Sequence, residues 1–209
     1  MEKMAVQTKS KINISGVIST DVEERSTTEK FDLLKFKIKV KRLSGKYDEL
    51  VALVERKLYD PDVIAKDKKV AIEGEIRAYK NIEEVPGENK TLVYIFVKSI
   101  VTNENEEAED INEYSIIGPI TEIRQVRNTT DGTKVCEFNI SVFSKYGNKY
   151  YIPCVSWGLN AETVTNCDKD TVVECKGRFQ SRDYKKKYPD GQVVPKTFYE
   201  VAIKSIKKV

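Results

Sequence analysis

The sequence has 209 residues, of which 33% are charged and 40% are hydrophobic, a composition that excludes a disordered chain and suits a globular protein. This length accommodates one large β domain or two domains of about 100 residues each. No apolar run approaches the roughly 20 residues of a membrane span, and the first residues, MEKMAVQTKSKINIS, contain no apolar signal segment. We therefore expect a cytoplasmic protein without membrane contact.

Residue types that carry most enzyme chemistry are scarce. The chain has no histidine, which removes the usual general base near neutral pH. The four cysteines have no C-x-x-C spacing, so we expect buried, reduced thiols and no zinc site; they are Cys136, Cys154, Cys167 and Cys175. No phosphate-binding loop, nucleophile elbow or acidic metal cluster is recognisable. The sequence predicts no cofactor and no enzyme activity, although carboxylate or lysine chemistry stays open.

The first half of the chain predicts five short strands. They lie at 12–20, 34–40, 44–54, 70–76 and 97–100. A short helix is predicted between the third and fourth strands, at 58–66 (LYDPDVIAK). The acidic segment TNENEEAEDINE follows at 102–113, and we interpret it as a solvated linker, with a short acidic helix as the alternative.

The second half of the chain repeats the first. Five segments match in the same order, at offsets of 102, 103 or 106 residues: 114–122, 136–142, 146–156, 173–179 and 203–206. Gly16 matches Gly118, Phe36 matches Phe138, and a second helix is predicted at 160–167 (NAETVTNC). One such match can arise by chance, but five in order indicate an internal duplication.

Each copy has the outline of an OB-fold barrel, with five strands and one helix between the third and the fourth. We predict an all-β chain of two tandem five-stranded OB-fold barrels, with domains at 1–101 and 114–209. Because a barrel closes its own sheet edges, we expect that each copy can stand alone. The first domain has 20 basic and 17 acidic residues, whereas the second has 16 basic and 10 acidic residues, so the second is the more basic.

One sheet surface of the second copy combines aromatic and basic residues. Strand alternation at 149–157 (KYYIPCVSW) predicts that Ile152 and Cys154 point inward while Tyr151 and Trp157 point outward. Aromatic faces for bases and cations for phosphates are typical of single-stranded nucleic-acid binding. The alternative interpretation is that the lone Trp is a core residue and that the lysine run only makes the surface soluble. The candidate DNA-binding residues are Tyr146, Tyr151, Trp157, Tyr184, Arg124, Arg127, Lys134, Lys149, Lys176, Arg178, Arg182, Lys185, Lys186 and Lys187.

The second copy resembles bacterial and phage single-stranded DNA-binding proteins. The matching segments are IIGPITEIRQVRNTTDGTKVCEFNISV, KYYIPCVSWGLNAETV, VVECKGRFQSRDYKKKYPDG and TFYEVAIKSIKKV, of which KGRFQSRDY is the most specific. The resemblance implies largely sequence-independent binding of single-stranded DNA in replication, recombination, repair or mobile-element transfer, with Tyr151, Trp157 and Tyr184 as stacking residues. It also implies a homo-oligomer, which for a tandem chain would be a dimer with four barrels.

The first copy departs from this pattern. Glu49, Glu55 and Asn81 occupy the positions of the three stacking aromatics, so we expect weak DNA binding by this copy and a role in dimerisation or in recruiting replication or repair proteins. The family commonly ends in an acidic recruiting tail, whereas this sequence ends at IKSIKKV. The lysines at 35, 37, 39 and 41 either follow phosphates or, as we favour, pair with Glu49, Glu55, Glu73 and Glu75. A protein-interaction scaffold, a single-stranded RNA binder and a barrel nuclease are the alternative functions.

Overall fold

The computed structural model describes residues 7–25, 32–80, 91–105, 107–188 and 190–209. Within these ranges the chain forms eleven β-strands and one α-helix. The strands of the first half are β1 (Lys9–Ile18), β2 (Glu23–Arg25), β3 (Leu33–Lys41), β4 (Tyr47–Glu55), β5 (Lys69–Lys80) and β6 (Thr91–Thr102). The elements of the second half are β7 (Asn112–Asn128), β8 (Lys134–Phe143), β9 (Lys149–Trp157), α1 (Leu159–Thr165), β10 (Val172–Lys187) and β11 (Val193–Lys208).

Each half closes into a five-stranded barrel. The first runs β1–β3–β4–β6–β5 and returns to β1, with β4 and β6 parallel. The second runs β7–β8–β9–β11–β10 and returns to β7, with β9 and β11 parallel. This is the strand arrangement of OB-fold barrels, so the predicted all-β fold is confirmed.

The two glycines that match between the copies mark the point where each first strand bends across its barrel. A Cβ atom on Gly16 would collide with the backbone carbonyl of Lys39, and one on Gly118 with that of Ser141. Only glycine permits such a close approach of two backbones. Apolar and basic residues alternate strictly along β3. As strand alternation predicts, its apolar residues Leu34, Phe36, Ile38 and Val40 are all buried in the core.

The connection between the third and fourth barrel strands differs between the halves. The helix predicted at 160–167 is present as α1, and it buries Ala161 and Val164. The helix predicted at 58–66 is absent, and a short 3-10 helix at Arg56–Leu58 is followed by turns. Pro61 disfavours a helical conformation at Asp60, and the Asp60 carboxylate accepts a hydrogen bond from the backbone N–H of Asp62 at 2.9 Å, which favours a turn.

Strands β1 and β7 pair and join the two barrels into one continuous sheet. Ile12 lies opposite Tyr114, which is its own counterpart in the duplication, and Asn13 lies opposite Glu113. An antiparallel pairing centred on equivalent residues is the geometry of an isologous two-fold interface, formed here within one chain.

Buried polar contacts also connect the halves. The fully buried carboxylate of Asp48 accepts hydrogen bonds from Arg42 Nε at 2.9 Å and from the backbone N–H of Ser181 at 2.7 Å. Arg42 in turn donates to the carbonyl of Ser181 at 2.8 Å. On the pseudo-symmetric side, the Arg77 guanidinium lies 3.5 Å from the ring centre of Phe96 and 5.2 Å from that of Tyr150. Separation of the halves would break the contacts of Asp48 and Arg42 with Ser181 and that of Arg77 with Tyr150, so each copy would lose buried contacts if it stood alone.

The acidic segment between the copies contacts the first barrel. The carboxylate of Asp110 accepts a hydrogen bond from the backbone N–H of Lys41 at 2.7 Å, and the Lys69 ammonium donates to the carbonyl of Ala108 at 2.8 Å. In its described residues, 102–105 and 107–113, this segment forms no helix.

Replacement of Asp48 by Ala is expected to lower the free energy of unfolding by about 3–5 kcal/mol, because the partly buried Arg42 guanidinium loses its carboxylate. Urea denaturation of the full chain measures this loss. The control is Glu73→Ala, which removes an exposed ion pair with Lys11 and is expected to cost about 0–1 kcal/mol. Equal losses in the two variants would show that the contact between the barrels contributes no special stability.

Candidate nucleic-acid interface

Strand β9 has one buried face and one partly exposed face, on which Val155 is buried. Ile152 and Cys154 are buried in the core, as strand alternation predicts. On the opposite face the Tyr151 side chain is 50% exposed and the Trp157 side chain is half-buried. The two aromatics therefore lie at opposite ends of one outer strand face.

A group of exposed aromatic rings surrounds the Tyr151 end of this face. The Lys149 ammonium lies 5.2 Å from the ring centre of Tyr151 and 5.5 Å from that of Phe143. Phe143 is 52% exposed, Tyr146 is also exposed, and Lys145 lies 4.9 Å from the Tyr146 ring centre. Phe143 was not among the sequence candidates, although strand alternation, with Val142 buried, was a signal that could have identified it.

The Trp157 end is more enclosed and contains a carboxylate. Trp157 lies opposite the fully buried Val135 and donates a hydrogen bond to Glu200, whose carboxylate is 3.5 Å from Arg182. Burial raises the pKa of the Glu200 carboxyl above its ordinary value, and the charge of Glu137 adds to this effect, whereas Arg182 and the Trp157 hydrogen bond oppose it. Trp157 is therefore held in place by a polar contact as well as by packing.

The hairpin of β10 and β11 supplies the largest group of cations. Val173, Cys175 and Phe179 point inward and are buried, and Tyr184 is 39% exposed. The basic side chains of Arg182, Lys185 and Lys187 are exposed, whereas Lys186, on the strand face of Tyr184, is partly buried and lies 4.9 Å from the ring centre of Tyr188.

Several of the candidate cations have carboxylate partners. Arg124 contacts Glu122 at 3.0 Å, Arg127 contacts Glu137 at 3.3 Å, Lys134 contacts Glu162 at 3.8 Å and Lys176 contacts Glu174 at 3.3 Å. Arg178 is partly buried, and its Nε has no hydrogen-bond partner in the described part of the chain. Lys176 lies eight residues before Tyr184, about 27 Å along the strand, so it is remote from the Tyr184 ring.

A cavity of about 460 Å³ lies beside this face, where the two halves meet. One wall is the start of β6 in the first half, at residues 91–93. The remaining lining comes from the second half and includes the candidates Arg124, Tyr184 and Lys186. It also includes residues that were not sequence candidates: Glu137, Asn139, Phe198 and Glu200.

The equivalent face of the first half is closed. Val51 and Leu53, at the positions of Pro153 and Val155, are buried in a cluster with Leu33, Tyr94 and Phe96, against which Tyr199 of the second half packs. Of these two faces, the second has an exposed aromatic ring, Tyr151, and an adjacent cavity.

Carboxylates stand on the first half where the second half has stacking aromatics. Glu49 accepts hydrogen bonds from Lys37 and Ser19, each at 2.9 Å, and Glu55 pairs with Lys57. Burial would raise the pKa of Glu49, but these hydrogen bonds outweigh it and hold the pKa below its ordinary value. Asn81, the third position, lies outside the described residues.

The lysine ladder of β3, formed by the lysines at 35, 37, 39 and 41, pairs only partly with the glutamates that we predicted as its partners. Lys37 pairs with Glu49, as expected, and this hydrogen bond raises the pKa of the Lys37 ammonium. Lys35 instead contacts Glu23 at 2.8 Å, and Lys39 lies 4.6 Å from the ring centre of Tyr47. The other three expected partners bind other cations: Glu55 pairs with Lys57, Glu73 with Lys11, and Glu75 with Arg77 and Lys98.

Other classes of site are not found in the described ranges. The four cysteines are unpaired and buried, and no group of three or more His, Cys, Asp or Glu side chains is arranged to hold a metal ion. Among these residues no helix has the length and apolar character needed to cross a membrane.

Comparisons with known proteins connect the second half to one family. Residues 111–209 match the model of the single-strand binding protein family. A single-stranded DNA-binding protein of Enterococcus faecalis is 32% identical over 81 residues, which are 35% of this chain and 43% of that protein. One from Oceanobacillus iheyensis is 31% identical over 91 residues, which are 40% of this chain and 55% of that protein. The chain thus spans about half the length of the curated relatives it matches.

A solved structure shares the arrangement of both barrels. The single-stranded DNA binding protein from Thermus aquaticus superposes with a TM-score of 0.73 and 15% identity, over 98% of this chain and 94% of that chain. At this identity the likeness shows the fold alone. Together with the family match, it confirms the resemblance that was recognised in the sequence. Residues 111–209, just under half of the chain, are therefore similar to the single-strand binding protein family.

Proposed function

We propose that this protein binds and protects single-stranded DNA with little sequence preference and without catalysing a reaction. The observation that carries this proposal is the outer face of the second barrel, where the exposed rings of Tyr151 and Tyr184 and the half-buried ring of Trp157 are accompanied by cations. This face belongs to the half of the chain that matches the family. The positions of these residues along one outer face support contact with a single extended strand.

The mechanism is stacking combined with charge neutralisation. Each base that stacks on an aromatic ring contributes about 1–3 kcal/mol to the binding free energy, largely independently of which base it is. Basic side chains such as Lys149 and Lys185 follow the phosphates and release condensed counterions. A duplex hides its base faces within its own stack, so the same site discriminates against it.

Titration of the full chain with oligothymidylate and with duplex DNA, followed by Trp157 fluorescence, tests this function. We expect quenching and tight binding with the single strand, weaker binding with the duplex, and a plot of log K against log[salt] with a clearly negative slope. Equal affinity for the duplex, or a slope near zero, would overturn the proposal.

In the same titration, Tyr151→Ala and Tyr184→Ala are each expected to weaken binding by about 1–3 kcal/mol without changing thermal stability, because both rings are exposed. Tyr47→Ala is the matched control, since Tyr47 is 51% exposed on the first barrel. Trp157→Phe is preferable to Trp157→Ala, since it retains a ring over Val135 while it removes the hydrogen bond to Glu200. Unchanged binding in the Tyr151 and Tyr184 variants would contradict the stacking mechanism.

We also propose a division of labour between two domains, 1–101 and 114–209. The closed face of the first domain and its paired carboxylates support DNA binding by the second domain alone. The first domain would then serve dimerisation or the recruitment of replication or repair proteins in the cytoplasm. Two chains would bring four barrels together, and light scattering that shows a monomer of 23.9 kDa with full DNA affinity would exclude that assembly.

Two matched double variants of the full chain test the division of labour. Lys185→Gln with Lys187→Gln is expected to weaken binding and to reduce the magnitude of the salt slope by about 1–1.5, since two phosphate contacts are lost. Lys39→Gln with Lys41→Gln removes the same number of exposed charges from the first barrel and is expected to leave both quantities unchanged. An equal loss in both variants would show that the lysine ladder of β3 forms a second DNA path.

A further inference from the structure

The cavity between the two barrels has the walls of a binding site for a flat ring. Its apolar lining consists of Leu92 and Val93 from β6 together with Pro153 and Val155 from β9. Aromatic rings lie on the β10–β11 side, from Tyr184 and Phe198. Such a lining suits a nucleobase, which stacks on aromatic and apolar surfaces.

Cations and carboxylates are both present in the cavity lining. The basic residues Arg124, Lys186 and Lys196 contribute to it, which suits a phosphate that remains outside while its base enters. The carboxylates of Glu137 and Glu200 also line the cavity. A carboxylate repels phosphate, so these two groups are suited to contact a base edge and not the strand backbone.

The two carboxylates of the cavity lining retain hydrogen-bond acceptor capacity. Glu137 and Glu200 each contact one arginine, at 3.3 Å and 3.5 Å, and Glu200 also accepts the hydrogen bond from Trp157. An ionised carboxylate has about four acceptor positions, so both retain capacity for further donors.

Asn139 also lines the cavity, but its amide offers no accessible acceptor. Its Nδ2 donates to the Glu122 carboxylate at 3.1 Å, which fixes the orientation of the amide because the reverse orientation would place two acceptors together. Its Oδ1 is buried and has no hydrogen-bond partner among the described residues. The carboxylates of Glu137 and Glu200 are therefore the acceptors on which the inference rests.

We propose that this cavity accepts one base of a bound single strand and selects a base with an exocyclic amino group over thymine. Cytosine, adenine and guanine offer amino donors, and glutamate is a known type of acceptor for such groups. Thymine offers one N–H between two carbonyl oxygens, which would face the carboxylates. The inference rests on the proposed function, because it requires a strand on this face, and it adds a preference at one position of an otherwise unselective site.

The test compares oligonucleotides that differ at a single base. An oligothymidylate is prepared with one deoxycytidine at each position in turn, and with deoxyuridine at the same positions, because deoxyuridine also lacks the methyl group but has a carbonyl in place of the amino group. Competition binding to the full chain is expected to show a position where deoxycytidine binds about tenfold more tightly than deoxyuridine, or about 1.4 kcal/mol. Equal affinities at every position would overturn the inference while leaving single-stranded DNA binding intact. Failure of all the oligonucleotides to bind would overturn the proposed function, and this inference with it.

Two variants assign the preference to the cavity. Glu137→Gln combined with Glu200→Gln retains the size of both side chains and replaces each carboxylate by an amide, so it is expected to reduce the tenfold preference to about twofold. The control is Glu73→Gln, which makes the same change at an exposed position of the first barrel and is expected to retain the preference. If the preference persisted in the double variant, it would arise elsewhere and the assignment to this cavity would be wrong.

Discussion

The antiparallel pairing of β1 with β7 determines how the rest of the molecule is arranged. Because Ile12 lies opposite its own counterpart Tyr114, the two barrels are related by a local two-fold axis. This axis brings the start of the last strand of each barrel to the outer face of the other barrel, where Tyr199 packs on the first and residues 91–93 line a cavity beside the second. The position of the candidate site at the junction is therefore a consequence of one strand register.

The equivalent outer faces of the two barrels share a backbone arrangement but carry different side chains. On the first barrel the central positions of the face are aliphatic and buried, with paired carboxylates at both ends. On the second barrel the corresponding strand has aromatic residues at these ends, and the space between the barrels is open. Side-chain chemistry, and not the fold, thus distinguishes the face that we propose to bind DNA from the equivalent face of the first barrel.

Sequence periodicity was sufficient for the features that depend on local alternation. It predicted the ten barrel strands and the inward face of β9, because burial of every second residue leaves a direct record in the sequence, whereas β2 was not predicted. Helix α1 was predicted from helix signals between the third and fourth strands. The same kind of signal wrongly predicted a helix at 58–66, although Pro61 and the following aspartate were visible signals against a helix. Phe143 was also overlooked, although strand alternation in β8 could have identified it as an exposed residue.

Features that depend on distant residues were beyond the sequence. The contact of Asp48 with Ser181 joins positions that are 133 residues apart, and nothing in either local segment indicates it. The partners of the β3 lysines were mostly misassigned, because ion pairs between long side chains depend on strand register and side-chain rotamers. The cavity is formed by both barrels, so it becomes visible only when their relative placement is known.

A two-fold interface made within one chain has consequences that a homodimer would not share. In a homodimer every substitution appears on both sides of the axis, and the stability of the interface depends on protein concentration. Here Asn13 faces Glu113 and Lys11 faces Ser115, so each side of the axis has acquired its own chemistry. The covalent connection also keeps the two barrels together at any dilution. One barrel can thereby carry a surface chemistry that differs from that of the other.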